Sequence, residues 1–277
     1  MSMSRPTDYH LHSNTTEDSV ATVEQLARAA AARGFAEIAV TDHFILGYDN
    51  YRVTVEQLEA HRALAKELGG KLGIKILLGA EVDYFEDRLP EIRAFLDSFD
   101  FDIVIGAAHF VDGRGIAAEP GAKALVRDIG RTEAFRRSLR AVERAARSGM
   151  FDVMAHLDVI RKFSETPEDR EPYENYAEEA ERVADALAES GVGFEVNCRG
   201  FSHSTGGQYP GGEFLSLLKS RGVGPVTVGS DAHTARDAGA DIDRGIDALR
   251  AAGFDRLARF ERRRATLAPL EEFEFKR

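Results

Sequence analysis

Six stretches of this sequence run apolar and then finish in His, Asp or Glu. They are Asp8-Tyr-His-Leu-His12, Ile38-Ala-Val-Thr-Asp-His43, Ile74-Lys-Ile-Leu-Leu-Gly-Ala-Glu-Val-Asp83, Ile103-Val-Ile-Gly-Ala-Ala-His109, Asp152-Val-Met-Ala-His156 and Val226-Thr-Val-Gly-Ser-Asp-Ala-His233. Neutral imidazole and carboxylate suit Zn, Mn or Fe, and the lone cysteine, Cys198, rules out a closed thiolate zinc site. His10 and His12 are two residues apart, so an extended strand turns both to one face. Asp231 and His233 repeat that spacing at the far end of the chain. Two such pairs favour a metal site over an exposed strand end. Glu81 has two oxygens with which to bridge ions held by the other stretches, provided the strand ends meet.

The remaining candidates carry less weight. His109 and His156 each close an apolar run, where a core histidine satisfied by protein partners is the competing reading. Asp42 and His43 are neighbours and should face opposite ways, so one ligates. His43 is preferred, which leaves Asp42 to orient a ligand through a hydrogen bond. Asp18 lies in the first loop, where a turn or helix-cap role competes with ligation. His61, among Glu59, Arg62 and Lys66, reads as a surface residue of a helix. His203 sits in the glycine-rich loop Gly200 to Gly212, within reach of the site if that loop folds over it.

Apolar runs of strand length predict strands at Asp8–His12, Ala36–Thr41, Ile74–Val82, Phe101–His109, Asp152–His156, Gly193–Asn197 and Pro225–Asp231. Helical spacing fills the gaps between them. Thr22-Val-Glu-Gln25 and Thr54-Val-Glu-Gln57 have capping-box form and open helices that run to Gly34 and to about Leu68. Further helices are predicted at Arg88–Ser98, Gly121–Ser148 with a break near Gly130, Tyr173–Ser190, Glu213–Arg221 and Ala235–Ala252. A polar loop carries Pro167 and Pro172. The tail from Phe254 is ambiguous, and its Arg262-Arg-Arg264 run reads as a solvated face. Alternating strands and helices imply a parallel sheet. Polar strand ends that collect at one face favour a closed seven-stranded β/α barrel with its site at the C-terminal ends of the strands. An open sheet would spread them along a line. No composition shift marks a linker, so residues 1–277 are expected to form one domain.

Bulk properties narrow the partners. The chain has 277 residues, 43 % hydrophobic and 30 % charged, enough for a full core. A net charge of −11 disfavours nucleic acid, whose binding rests on phosphate neutralisation by Lys and Arg. No run approaches the roughly 18 apolar residues needed to span a membrane. Met1-Ser-Met-Ser-Arg-Pro6 lacks the apolar core of a signal peptide, and one cysteine suits a reducing compartment, so a cytoplasmic protein is expected.

In this order on successive strands, His10-x-His12, Asp42-His43, Glu81, His109, His156 and Asp231-x-His233 resemble the polymerase-and-histidinol-phosphatase (PHP) superfamily, from Asp8 to about Ala238. The resemblance implies a seven-stranded β/α barrel with three metal ions. His10, His12, Glu81 and Asp231 would hold one, Glu81, His109 and His156 the second, and Asp18, His43 and His233 the third. Many members have His at the Asp18 position.

Ile105-Gly-Ala-Ala-His-Phe110, His156-Leu-Asp-Val-Ile-Arg-Lys-Phe163 and Gly229-Ser-Asp-Ala-His-Thr234 resemble the monofunctional histidinol-phosphate phosphatases of that family. Such enzymes hold phosphate with arginines near the site, and Arg161 and Arg199 each follow a strand end. The resemblance thus implies a metal-dependent phosphomonoesterase converting L-histidinol phosphate to L-histidinol and phosphate in histidine biosynthesis. A metal-bridging hydroxide would attack phosphorus, and a metal, a metal-bound water or His203 would serve the leaving oxygen. Three divalent ions against Asp18, Glu81 and Asp231 leave a locally positive site for an anionic substrate.

Three alternatives compete. Another PHP phosphoesterase acting on nucleotides or oligonucleotide ends would want a basic groove. An amidohydrolase would carry a bridging lysine on a middle strand. A non-catalytic PHP-like subunit would not need to retain this ligand set.

Overall fold

Apolar runs without polar interruption must be covered on both faces, and parallel pairing behind helices achieves that. The structure, a computed structural model, describes residues 6–163 and 170–275. The expectations for Met1-Ser-Met-Ser-Arg5 and for Pro167 fall outside these residues. The strands are β1 (Thr7–Leu11), β2 (Glu37–Val40), β3 (His43–Phe44), β4 (Lys75–Asp83), β5 (Ile103–Ala107), β6 (Phe110–Val111), β7 (Arg114–Gly115), β8 (Val153–Met154), β9 (Gly193–Asn197), β10 (Val226–Gly229), β11 (Arg256–Glu261) and β12 (Arg264–Pro269).

Seven of them lie in the order β1-β2-β4-β5-β8-β9-β10, each parallel to its neighbours. A parallel bridge from Leu11 to Ala232, with the His12 N–H donating to Ala232 O at 2.9 Å, brings the last strand back to the first. The result is a nearly closed seven-stranded barrel. Buried Asp8 fastens the seam by accepting from the N–H groups of Ser230 at 2.9 Å and Gly239 at 2.8 Å.

The outer helices are α1 (Val23–Ala32), α2 (Val55–Leu72), α3 (Leu89–Leu96), α4 (Glu119–Ile129), α5 (Arg131–Arg147), α6 (Ala177–Ser190), α7 (Gly212–Ser220) and α8 (Ile242–Ala251). Both capping boxes form: Thr22 and Thr54 each accept from the N3 backbone while Gln25 and Gln57 reach back. The break between α4 and α5 falls at Gly130, whose φ of 83° would strain any residue with a Cβ. No helix among the described residues is long and apolar enough to cross a membrane.

The tail that sequence left ambiguous forms the antiparallel hairpin β11–β12. Ala258 and Phe260 join Tyr9, Ala39, Leu77, Ile103, Ile105, Val153 and Ala155 in one buried apolar cluster, so the hairpin stoppers the barrel from its N-terminal end. The expectation of a solvated Arg262–Arg264 face needs correction at Arg263. Its Nε meets both Asp152 oxygens at 3.1 Å and its Nη2 donates to Met150 O at 2.6 Å. The hairpin turn, with φ of 49° at Arg262 and 61° at Arg263, swings that side chain under the barrel.

Candidate metal centre

The opposite, C-terminal rim gathers imidazoles and carboxylates. β1 carries His10, with His12 immediately after it, and their Nε2 atoms lie 3.0 Å apart. β4 carries Glu81. His109 and His156 follow β5 and β8 with their Nε2 atoms 3.2 Å apart. Two glycines let these chains close up. A Cβ on Gly79 would stand 2.6 Å from Ile103 O, so glycine allows β4 and β5 to approach just before Glu81. A Cβ on Gly229 would stand 2.1 Å from Glu195 Oε1 and 2.4 Å from the His10 Cβ. Asp231 takes a left-handed φ of 53°, an uncommon conformation for a non-glycine residue.

Glu81 sits at the middle. Its Oε1 lies 2.9 Å from His156 Nε2 and 3.6 Å from His109 Nε2. Its Oε2 lies 2.8 Å from His43 Nδ1 and 3.5 Å from the Nε2 atoms of His10 and His12. Asp231 Oδ1 is 3.4 Å from His12 Nε2 and 3.8 Å from His10 Nε2. Asp18 Oδ2 lies 3.0 Å from His43 Nε2 and 3.1 Å from His233 Nε2. The nine expected ligands therefore meet on one rim.

Short contacts are not the same as satisfied ones. Glu81 Oε2, His43 Nδ1 and His12 Nδ1 are buried and make no hydrogen bond. Buried polar atoms are rarely left so, since each costs free energy unless something pairs with it. Three sets of ligand atoms lie within 4.8 Å of one another: His12, His43 and His233; His10, His12 and Asp231; His43, Glu81 and His109. A thiolate-free nitrogen and oxygen set of that kind fits divalent transition-metal ions.

Protonation follows the same geometry. Burial works against ionised Glu81 and Asp231, yet the neighbouring imidazoles, His10 foremost, hold both carboxyls well below the usual carboxylate range. Burial likewise opposes charge on His10 and His43. The carboxylates of Glu195, Asp231 and Glu81 nevertheless hold His10 well up, and Glu81 and Asp18 do so for His43. His12 is pushed down to about 3 by burial and by His43 and His233. An entering cation would take the place of protons.

Three supporting residues went unassigned in the sequence. Asp83 accepts from the His109 N–H and lies 2.9 Å from His109 Nδ1, which turns Nε2 toward Glu81. Glu195 Oε1 lies 2.8 Å from His10 Nδ1 and does the same for His10. The Asn197 amide donates to Glu195 at 3.1 Å and to Asp231 at 3.2 Å. Strand periodicity could have found them, since Asp83 shares a face with Glu81 and Glu195 with Asn197.

Two expectations are corrected here. Asp42 orients no imidazole of the cluster. It accepts instead from the Ser13 N–H at 2.5 Å and hydroxyl at 2.8 Å, pinning the turn after His12. His61 is not a surface residue. Its side chain is 14 % exposed, with Nε2 3.2 Å from Thr15 Oγ1 and Nδ1 3.6 Å from Asp42, because that face of α2 turns inward onto the same turn.

A cavity of about 620 Å³ opens over the rim. Lys162, Arg199 and His203 line it, as do Tyr48, Tyr51 and Phe110. Arg161, expected beside them, is turned away: its Nη1 donates to Asp158 at 3.1 Å and to Gln208 O at 3.2 Å. Lys162, one residue on, faces the cavity in its place.

Residues 8–199 match the PHP domain model. The chain belongs to the PHP domain family. Among relatives of this PHP protein, the probable histidinol-phosphatase of Deinococcus radiodurans is 30 % identical over 254 residues, covering 89 % of this chain and 93 % of that one. The histidinol-phosphatase of Lactococcus lactis is 28 % identical, covering 91 % and 93 %. A crystal structure of the histidinol phosphate phosphatase from Lactococcus lactis, complexed with zinc, L-histidinol and phosphate, shares the fold. Its TM-score is 0.84 at 24 % identity, over 95 % of this chain and 99 % of that one.

Proposed function

We propose that this PHP protein is a metal-dependent phosphomonoesterase acting on L-histidinol phosphate, with release of L-histidinol and phosphate. One observation carries the metal dependence: both oxygens of buried Glu81 face imidazoles from other strands, and Oε2 has no hydrogen-bond partner. The substrate reading draws on the names of the relatives that align over nearly the whole chain.

The reading takes three ions. His10, His12, Glu81 and Asp231 hold the first, Glu81, His109 and His156 the second, and Asp18, His43 and His233 the third. Zinc is the first choice because the Lactococcus lactis structure contains it, with manganese and iron as alternatives. Ions bound there supply Lewis acidity at phosphorus and lower the pKa of water toward roughly 7.

The chain's own cations do the rest. Lys162 and Arg199 face the same cavity and hold the phosphate oxygens, where charge builds in the transition state. Arg199 is steadied by Asp237, 3.0 Å away. Lys162 is steadied by donating to Ala117 O at 3.1 Å. Tyr48, Tyr51 and Phe110, which line the same cavity, offer ring faces for an imidazole. A net charge of −11 fits a small substrate better than nucleic acid, and a cytoplasmic setting suits one buried free cysteine.

The test is phosphate release from L-histidinol phosphate, AMP and an aryl phosphate, by enzyme stripped of metal and then restored with Zn, Mn or Fe. The expected result is metal-restored activity with strong preference for L-histidinol phosphate. Hydrolysis of the aryl ester alone would remove the substrate assignment. Full activity in the stripped enzyme would remove the metals.

A further inference from the structure

Among the described residues, His203 is the one cavity-lining imidazole outside the ligand cluster. Its Nδ1 lies 3.1 Å from the hydroxyl of Tyr209, a fully buried ring that also borders the cavity. A neutral imidazole carries its proton on one nitrogen, and the partner of the other nitrogen decides which. Burial, helped by Lys162 and Arg199, lowers His203 to about 4, so it is neutral near pH 7 and its tautomer matters.

The Tyr209 proton needs an acceptor. Its hydroxyl is held well above its ordinary range by burial, so it stays protonated. The Thr205 hydroxyl, which donates to Gly200 O at 2.8 Å, also lies against the Tyr209 hydroxyl and is the weaker competing acceptor. An imidazole nitrogen is a stronger acceptor than a hydroxyl, and His203 Nδ1 lies 3.1 Å from the Tyr209 hydroxyl. With Nδ1 accepting, the proton of His203 sits on Nε2.

We propose that Tyr209 is a positioning residue that fixes His203 as the Nε2–H tautomer, so that His203 donates a hydrogen bond to a phosphate oxygen alongside Lys162 and Arg199. The proposal rests on the phosphomonoesterase reading and deepens it. No proton is transferred, for a neutral imidazole that gave up Nε2–H would become an imidazolate. The donor is a third anchor for the anion, added without another positive charge in a pocket that already holds Lys162 and Arg199.

The test uses the metal-loaded enzyme. Nitrogen-15 NMR of histidine-labelled protein, with His203 assigned by its loss in His203→Gln, reads the tautomer directly. The expected result is Nε2–H in the parent and a mixture in Tyr209→Phe. The Phe variant should also raise KM, and the inhibition constant of inorganic phosphate, by about two- to threefold, the reciprocal of the share of Nε2–H tautomer left in a mixture, with kcat changing less. In a His203→Gln background, whose amide donor has no tautomer, Tyr209→Phe should leave both constants unchanged.

An Nδ1–H tautomer in the parent would overturn the assignment. So would an undiminished Tyr209→Phe effect in the Gln background, which marks a merely structural ring. If restored enzyme releases phosphate from no ester, the phosphomonoesterase reading falls, while the tautomer and the affinity for inorganic phosphate still judge the role of Tyr209.

Discussion

The two ends of the barrel both bury charge, and they do it differently. At the N-terminal end every charge named has a protein partner of opposite sign or a fitted hydrogen bond. Asp152 meets Arg263, Glu37 accepts from Tyr9 and faces Arg259, and Asp102 accepts from the hairpin backbone at Arg262. At the C-terminal end Glu81 and Asp18 face imidazoles, Asp231 faces imidazoles and the Asn197 amide, two pairs of Nε2 atoms approach within 3.0 and 3.2 Å, and buried atoms go unpaired. Among the described residues, the ion-pair partners of Glu81 are all histidines. Satisfied buried charge holds the fold together, whereas unsatisfied buried charge calls for something from outside.

That contrast is sharpest at Glu81. Glu81→Gln removes one charge and one bridging oxygen with little change in shape. It should cut phosphate release by at least ~10³-fold, the scale of losing transition-state charge stabilisation, and lower bound metal as read by elemental analysis. Full metal content with full activity would make the C-terminal end as self-contained as the other.

The supporting carboxylates come next. Glu195→Gln and Asp83→Asn should each weaken metal affinity by about 10–100-fold, the usual cost of removing the partner that orients a ligating histidine. Competition with a chromophoric chelator measures this. Unchanged affinity would mean that packing alone sets the His10 and His109 rings.

Acid should act on one end more than the other. His10 and His43 are held above their ordinary range by nearby carboxylates, so in the metal-free protein they carry protons at and below neutral pH. Ligation releases those protons, so affinity must fall as pH falls, by up to about tenfold per unit for each proton displaced. Chelator competition at pH 6, 7 and 8 checks the sign; affinity that rose toward pH 6 would contradict the protonated imidazoles.

The smallest effect belongs to the N-terminal end. Arg263→Ala leaves Asp152 buried without its cation and should cost about 1–2 kcal/mol in denaturant melts, between the values typical of exposed and buried pairs. Metal content and KM should not move. A change in metal content would show that the hairpin stopper and the rim are coupled.

Much of the site was legible because ligand spacing obeys strand geometry. His10-x-His12, Glu81 and Asp231-x-His233 could be read from alternation and from their place at the ends of apolar runs. His43 was legible for a less direct reason. The sequence extended one strand through Thr41, whereas β2 stops at Val40 and β3 restarts at His43, opposite Glu81 in β4. Glu195 was hidden inside a strand, and its pairing with His10 spans 185 residues. Arg161 and Lys162 are adjacent in a short turn after His156, where no periodicity says which side chain looks inward. His61 misled because its charged sequence neighbours describe the outer face of α2, not its own.

By itself the sequence determined which residue types end the strands and which pairs share a face, since a period of two is local. It also determined the alternation of strand and helix, because burial periodicity is written into each segment. Only the tertiary structure decided which ends meet around Glu81, that Glu195 and Asp83 hold the rings, that Tyr209 meets His203, and that the tail closes the barrel from below. Those contacts depend on barrel closure and on backbone approach at Gly79 and Gly229, and no short window of sequence carries distances across the barrel.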